Sequence, residues 1–142
     1  MKQKRIKIMI LPFLLLALYL SSCSSGTTPK MLPLDQLPEF AQNAPVSVQQ
    51  AYQFAAANPE FMTHIPCYCG CGDIGHTSNL QCYVSHIDPA GAITYDEHAI
   101  GCSICVDITH DAMRMLEEGK TTEQIKQAID ETYSKYGTSN MP

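Results

Sequence analysis

ICVDITHDAMRMLEEGKTTEQIKQAIDETYSKYG, residues 104–137, reads as two helices joined by a short turn. Ile104, Ile108, Ala112, Met115 and Leu116 recur at helical spacing and give one apolar side to a helix from Ile104 to Glu118. Gly119 is a natural stop, because helix C-termini favour the left-handed conformation that glycine adopts without strain. Thr121 and Gln124 then stand in capping-box register, so their side chains can each satisfy a free backbone N–H at the start of a second helix. Ile125, Ala128, Ile129, Thr132 and Tyr136 line the apolar face of that helix, and Gly137 closes it. Tyr133 and Tyr136 are read as core or rim residues. The two helices are expected to fold back on each other as a hairpin.

Working outward, Val46 to Ala57 carries Val48, Ala51, Tyr52 and Ala55 on one helical face, with Ser47 as its candidate cap and Asn58-Pro59 as its end. A short second helical stretch runs through Glu60 to Met62. Ile65 to Gly75 is a glycine-rich loop. Asn79 to His86 fits a short helix or a strand, Asp88-Pro89-Ala90-Gly91 is a turn, and Ala92 to Tyr95 is a short extended piece. The expected fold is mainly α: a small helical domain with an N-terminal helix, a Cys/Gly-rich loop region and a C-terminal helical hairpin. The N-terminal helix should pack on the hairpin, with the cysteine-rich loops across one end.

The chain opens on a different pattern. Lys2, Lys4, Arg5 and Lys7 precede an apolar run from Ile8 to Leu20, broken only by Pro12, and Leu20-Ser21-Ser22-Cys23 follows. A basic start and a short apolar core mark an export signal. The four residues ending at Cys23 resemble the lipobox of bacterial lipoproteins, which implies cleavage before Cys23 and a lipid on its sulfur. Ser24 to Pro45 holds Pro29, Pro33, Pro38 and Pro45, a composition poorly suited to helix or sheet, and is read as a tether. The expected organisation is a lipoprotein signal peptide over 1–22, a lipidated cysteine and flexible tether over 23–45, and a Cys/His-rich helical domain over 46–142. The expected location is exported, lipid-anchored to the outer face of the cytoplasmic membrane or to the outer membrane.

Without residues 1–22 the chain keeps 5 basic and 14 acidic residues, a formal net charge of −9 with histidine neutral. That argues against a nucleic-acid partner and against an electrostatic hold on anionic lipid, leaving the lipid on Cys23 as the membrane link. There is no tryptophan, and only Phe40, Phe54 and Phe61 remain of the phenylalanines, so the core is modest and staples would help it.

Cysteine and histidine are concentrated in one stretch. The six cysteines after Cys23 and all five histidines fall between His64 and His110. Cys67, Cys69 and Cys71 stand at alternate positions with Gly70 and Gly72 beside them, so three thiols can turn toward one soft cation. A disulfide within Cys-x-Cys closes a strained ring, which favours more distant partners if these residues bridge. Cys102 and Cys105 form a Cys-x-x-Cys at a helix start, where the N-terminal dipole lowers thiol pKa and aids both metal binding and thiol attack. Cys82 stands alone between the two groups. His98, four residues before Cys102, is the first candidate imidazole ligand, and His64 and His76 come next.

His64-Ile65-Pro66-Cys67-Tyr68-Cys69-Gly70-Cys71-Gly72 resembles the PCYCGC-motif lipoprotein family. The likeness continues through Ser78-Asn79-Leu80-Gln81-Cys82, Asp96-Glu97-His98 and Gly101-Cys102-Ser103-Ile104-Cys105, and ends with Glu118-Gly119-Lys120 and Ile129-Asp130-Glu131-Thr132-Tyr133. Related CYCXC proteins carry selenocysteine in this motif in some bacteria, which implies metal or redox chemistry at these positions. The Cys-x-x-Cys with a following Glu-Gly-Lys hairpin is also similar, more loosely, to the thiol subunit of cytochrome c maturation.

Three readings follow. The first is a soft-metal-binding lipoprotein for transfer, storage or detoxification, with Cys67, Cys69 and Cys71 as primary ligands and Cys102, Cys105, Cys82, His98, His64 and His76 completing one or more sites. Copper(I) is the first choice of ion, zinc the second, and mercury also fits; a membrane protein that gives or takes the metal is the matching partner. The second is thiol–disulfide exchange through Cys102 or Cys105, although no thioredoxin-like βαβ pattern surrounds them. The third is three structural disulfides in a non-catalytic domain, which explains the even cysteine count but not the tight triplet or the co-clustered histidines. No Gly-x-Ser-x-Gly or phosphate-cradling loop is present, so a binding module is favoured over an enzyme.

Overall fold

The computed structural model describes residues 28–141. The expected signal peptide and Cys23 lie outside the described residues. The protein is mainly α, with helices α1 (Glu39–Gln42), α2 (Val46–Ala57), α3 (Pro59–Met62), α4 (Ser103–Glu117) and α5 (Thr122–Tyr133) and one two-stranded sheet, β1 (Val84–Ile87) and β2 (Ile93–Tyr95).

The hairpin forms as the sequence pattern requires. At the end of α4, Gly119 has φ +76; its N–H bonds the Leu116 carbonyl and the Lys120 N–H bonds that of Met115. This pairing satisfies carbonyls the helix would leave free. Thr121 and Gln124 make the full capping box, with the Gln124 N–H 3.3 Å from Thr121 Oγ1 and the Thr121 N–H 3.0 Å from Gln124 Oε1. Ile108, Ala112 and Met115 of α4 pack with Ile125, Ile129 and Tyr133 of α5 in the core. Tyr133, not Thr132 or Tyr136, completes that face. Helix α5 stops at Tyr133, so Tyr136 leaves the helical register and is exposed, while the Tyr133 hydroxyl donates to Asp111 on α4 at 2.8 Å.

Helix α2 lies against α4 and buries Val48, Ala51, Tyr52, Phe54 and Ala55. Its N-cap is Pro45, without a side-chain cap bond, instead of the expected Ser47. Proline suits a helix entrance because the N–H it lacks would have no partner there. The same physics changes the reading of the preceding segment. Pro33 precedes a 3₁₀ turn at Leu34–Gln36, and Pro38 precedes α1. Leu37 and Ala41 are buried, and Gln53 on α2 donates to the Leu32 carbonyl at 2.8 Å. Residues 28–45, read as part of a flexible tether, are thus packed on the domain. Pro33, Pro38 and Pro45 start helical turns there.

The ambiguous stretch Asn79–His86 contains both structures it fitted: a 3₁₀ turn over Asn79–Cys82, then β1. Strands β1 and β2 pair antiparallel with Val84 opposite Tyr95, His86 opposite Thr94 and Ile87 opposite Ile93. Asp88 Oδ1 closes their turn by accepting from the Ala90 and Ala92 N–H groups, both at 2.8 Å. The pairing runs on to Asp96, whose N–H bonds the Tyr83 carbonyl at 2.9 Å. This fixes Asp96 at the edge of the cysteine-rich end.

Candidate metal centre

The loop that begins at Pro66 is folded by main-chain contacts from the far end of the chain. The Cys67 N–H donates to Asn140 Oδ1 at 2.7 Å, and the Asn140 N–H returns a bond to the Cys67 carbonyl at 3.0 Å. Gly137 passes so near that an added Cβ would stand 2.9 Å from the Tyr68 carbonyl oxygen, closer than real side chains allow. Gly70 then turns the chain at φ +85, a conformation side chains disfavour, and Cys71 opens a 3₁₀ turn over Cys71–Ile74. With the loop so bent, the sulfurs of Cys67, Cys69 and Cys71 converge.

Four other segments close on them. Cys102 is the N-cap of α4 and Cys105 sits in its first turn. The Cys105 backbone is held by a buried polar network: the Tyr83 hydroxyl donates to its carbonyl at 2.9 Å, and Thr109 Oγ1 lies 2.7 Å from that hydroxyl and 2.8 Å from Asn79 Oδ1. Such a network is costly if broken, because each buried group would lose its partner. Cys82 ends the Asn79–Cys82 turn. His76 follows the glycine loop, and His98 opens a 3₁₀ turn that leads to Cys102.

The contacts among these atoms are continuous. Cys67 Sγ lies 3.4 Å from the sulfurs of both Cys69 and Cys105, and Cys69 lies 3.5 Å from Cys105. Cys105 is 3.3 Å from Cys82, which is 3.8 Å from Cys71. His98 Nε2 stands 3.5 Å from Cys69 Sγ, and His76 Nδ1 stands 3.7 Å from Cys82 Sγ. Two thiolates held ~2.3 Å from one tetrahedral zinc ion lie ~3.8 Å apart, so the spacing is close to that of sulfurs sharing an ion. A disulfide needs sulfurs about 2.05 Å apart. Among the described residues, all six cysteines stand as free thiols. These Cys/His groups can hold a metal ion.

A family model described as a protein of unknown function with PCYCGC motif matches residues 23–141. The chain belongs to this family. No curated protein and no solved structure matches it. Within the PCYCGC motif itself, the structure gives separate tasks to its residues: Pro66 and Tyr68 are buried, Gly70 reverses the chain, and the three cysteines supply the converging sulfurs.

The electrostatics of the PCYCGC centre follow from shared protons. Bonds from the Cys105 thiol first and the Cys82 thiol next stabilise the Cys67 thiolate and hold its pKa far below the ordinary thiol range. Cys69 is lowered to about 4, by the Cys82 thiol against the opposing effect of burial, with His98 adding to the drop. The counterpart is that Cys82 and Cys105 hold their protons strongly, Cys82 through its bond to Cys105 and Cys105 through its bond to Cys67. Burial raises Cys102. The cluster thus favours the thiolate at Cys67 and Cys69, while Cys82 and Cys105 would give up their protons to solvent when a metal ion takes their place on the sulfur.

Of the candidate ligands read from the sequence, the structure brings together Cys67, Cys69, Cys71, Cys82, Cys102, Cys105, His76 and His98. His64 is exposed and belongs to no such group among the described residues. Two residues that the sequence reading gave no role stand directly behind the ligands. Asp96 Oδ2 lies 3.8 Å from His76 Nε2, on the ring edge opposite Cys82, while its Oδ1 accepts the His98 N–H at 2.8 Å. A carboxylate behind a ligating imidazole orients the ring and raises its basicity. Asn140 Nδ2 lies 3.4 Å from Cys71 Sγ. The Asp96-x-His98 spacing was visible in the sequence; the return of Asn140 to Cys67 was not.

Proposed function

We propose that the protein is an exported, lipid-anchored binding protein for a soft metal ion, which it carries, stores or sequesters at the membrane surface. The carrying observation is the convergence of six sulfurs and two imidazoles inside one small domain, five of the sulfurs in continuous contact and Cys102 within 4.8 Å of Cys69, Cys105 and His98. Thiolates select soft ions, so copper(I) is the first ion and zinc the second. The lipid on Cys23 supplies the membrane link, and among the described residues no helix is long and apolar enough to cross a membrane. The fitting partner is a membrane protein that donates or accepts the ion.

The test is the intact mass of the exported full chain, purified without reductant, under native and denaturing conditions. Bound metal that is lost on denaturation, with the thiols then free to alkylate, supports the reading and identifies the ion. Cys69→Ser should abolish or sharply weaken binding. A metal-free protein with three disulfides that gains no tight copper(I) binding on reduction would sink the reading.

Thiol–disulfide exchange is the second reading, favoured by one observation. Cys69 is half-buried, carries a lowered pKa and lies 3.4 Å from Cys67 and 3.5 Å from Cys105, so an accessible thiolate has two potential resolving thiols at hand. A mixed disulfide trapped on Cys69 in a Cys67→Ser, Cys105→Ser background would support it.

A further inference from the structure

We infer that the cluster is two adjoining metal sites of unequal exposure, an outer one of Cys69, Cys102, Cys105 and His98 and an inner one of Cys71, Cys82 and His76, joined through Cys67. The inference rests on the soft-metal reading and adds its stoichiometry and its order of exchange.

The ligand count is the first argument. The outer four ligand atoms lie within 4.8 Å of one another, and so do the inner three. A tetrahedral ion takes four ligands, so one ion satisfies the outer set alone and leaves the inner sulfurs with no cation. Cys67 belongs to both neighbourhoods. It is 3.4 Å from Cys69 and from Cys105 on the outer side, and within 4.8 Å of Cys71 and of Cys82 on the inner side. It lies near two of the three inner ligands, as their fourth by this inference, and sits where a sulfur can bridge; Cys105, 3.3 Å from Cys82, reaches the inner set too.

The histidines divide in the same way. His98 faces Cys69, whereas His76 faces Cys82, and the two rings meet edge to face with centroids 5.3 Å apart. Two imidazoles crossed in this way point their ligating nitrogens at different ions. Asp96 holds both, through the His76 ring edge and the His98 N–H. Charge gives a third argument: the buried inner thiols can ligate only by losing their protons, and a second ion offsets the negative charge this leaves.

Exposure assigns the order. Cys69, Cys102 and His98 are half-buried, so the outer set has a solvent-facing edge at which another protein's ligand can attack the ion. Cys71 is 2 % exposed and Cys82 fully buried, and the His76 side chain is 11 % exposed. An ion there leaves only if the loop opens. The outer ion is the exchangeable one and the inner ion is retained.

The experiment loads the reduced full chain, in detergent and without oxygen, with cadmium-113(II), a soft four-coordinate probe. Native mass spectrometry counts the ions, cadmium NMR reports their ligands, and EDTA challenge orders their release. The expected result is two ions with mutually coupled resonances, one stripped first to leave a populated one-ion form. His98→Asn should lose the easily stripped ion and His76→Asn the retained one, with the helical circular dichroism of each unchanged. A single ion in the wild type, or both ions leaving together, overturns this inference while the soft-metal reading stands. Two uncoupled resonances overturn the Cys67 bridge. No bound cadmium or copper(I) at all overturns the soft-metal reading and this inference with it.

Discussion

The two ends of this domain are built by different means. The α4–α5 hairpin closes on itself through a capping box, a glycine-terminated helix end and a stripe of isoleucines. The cysteine-rich end has only 3₁₀ turns and loops between Ile65 and Tyr83; Ile65, Leu80 and Tyr83 seat it on the core, and bonds from distant residues and contacts among sulfurs shape the rest. Apolar packing is indifferent to metal, whereas a cluster of thiols held at van der Waals contact gains most of its cohesion when a cation enters it. The difference teaches that one part of the molecule is scaffold held by apolar packing, and that the other, if it takes the metal proposed above, should gain order on binding it.

The largest expected effect breaks the comparison at the site. Metal at a thousandfold excess over its dissociation constant stabilises the folded state by about 4 kcal/mol, so its removal should lower the melting temperature by many degrees. Hydrogen exchange should localise the change. Amides from Cys67 to Cys82 and from His98 to Cys105 should lose protection on metal removal, while those of α5 keep theirs. Uniform loss across both regions would show that the hairpin is not an independent scaffold.

The reverse cut comes next. Ile129 is fully buried between the hairpin helices, and Ile129→Ala should cost about 3 kcal/mol in denaturant unfolding through lost transfer energy and a cavity. Metal stoichiometry at the other end should not change. A smaller effect should follow Asp96→Asn, which keeps the acceptor for the His98 N–H but removes the charge behind His76. Metal affinity should fall by about 10- to 100-fold, measured by chelator competition, with the melting temperature of the metal-free protein unmoved.

The contrast in construction also explains what the sequence disclosed. Helix α5 was legible because its start is written in Thr121 and Gln124, three residues apart, and its core face in Ile125 and Ile129. Local rules failed where a residue's role is set by its neighbours in space. Pro33 and Pro38 read as breakers within a tether, yet each stands at the entrance to a helical turn, and the one after Pro38 packs on α2. Clustering in sequence was enough to gather eight of the candidate ligands, but spacing alone ranked His64 beside His76, and only the fold points one outward and the other at Cys82. Asn140 offers no local signal, since its partner Cys67 lies at the opposite end of the domain sequence.

Tyr68 links the cysteine loop to α5, and it gives the smallest effect and the sharpest test of that coupling. Tyr68 belongs to the cysteine loop, but its hydroxyl donates to Asp130 Oδ1 on α5 at 2.5 Å, and Asp130 also receives Lys126 at 2.7 Å. Burial first, and the bond to Asp130 next, raise the Tyr68 pKa from 10.0 to about 12. A pKa raised on folding favours the protonated form of the native state, so this contribution is complete below about pH 10 and is lost as pH rises through about 12. Tyr68→Phe should therefore lower stability by about 1 kcal/mol at neutral pH and flatten the alkaline fall of the melting temperature. If the regions are coupled through this bond, the variant should also release cadmium faster to EDTA, although it changes no ligand. Unaltered release would mean that the cysteine loop is positioned without this bond, by Asn140, the sulfurs and the Asn79–Tyr83–Thr109 network.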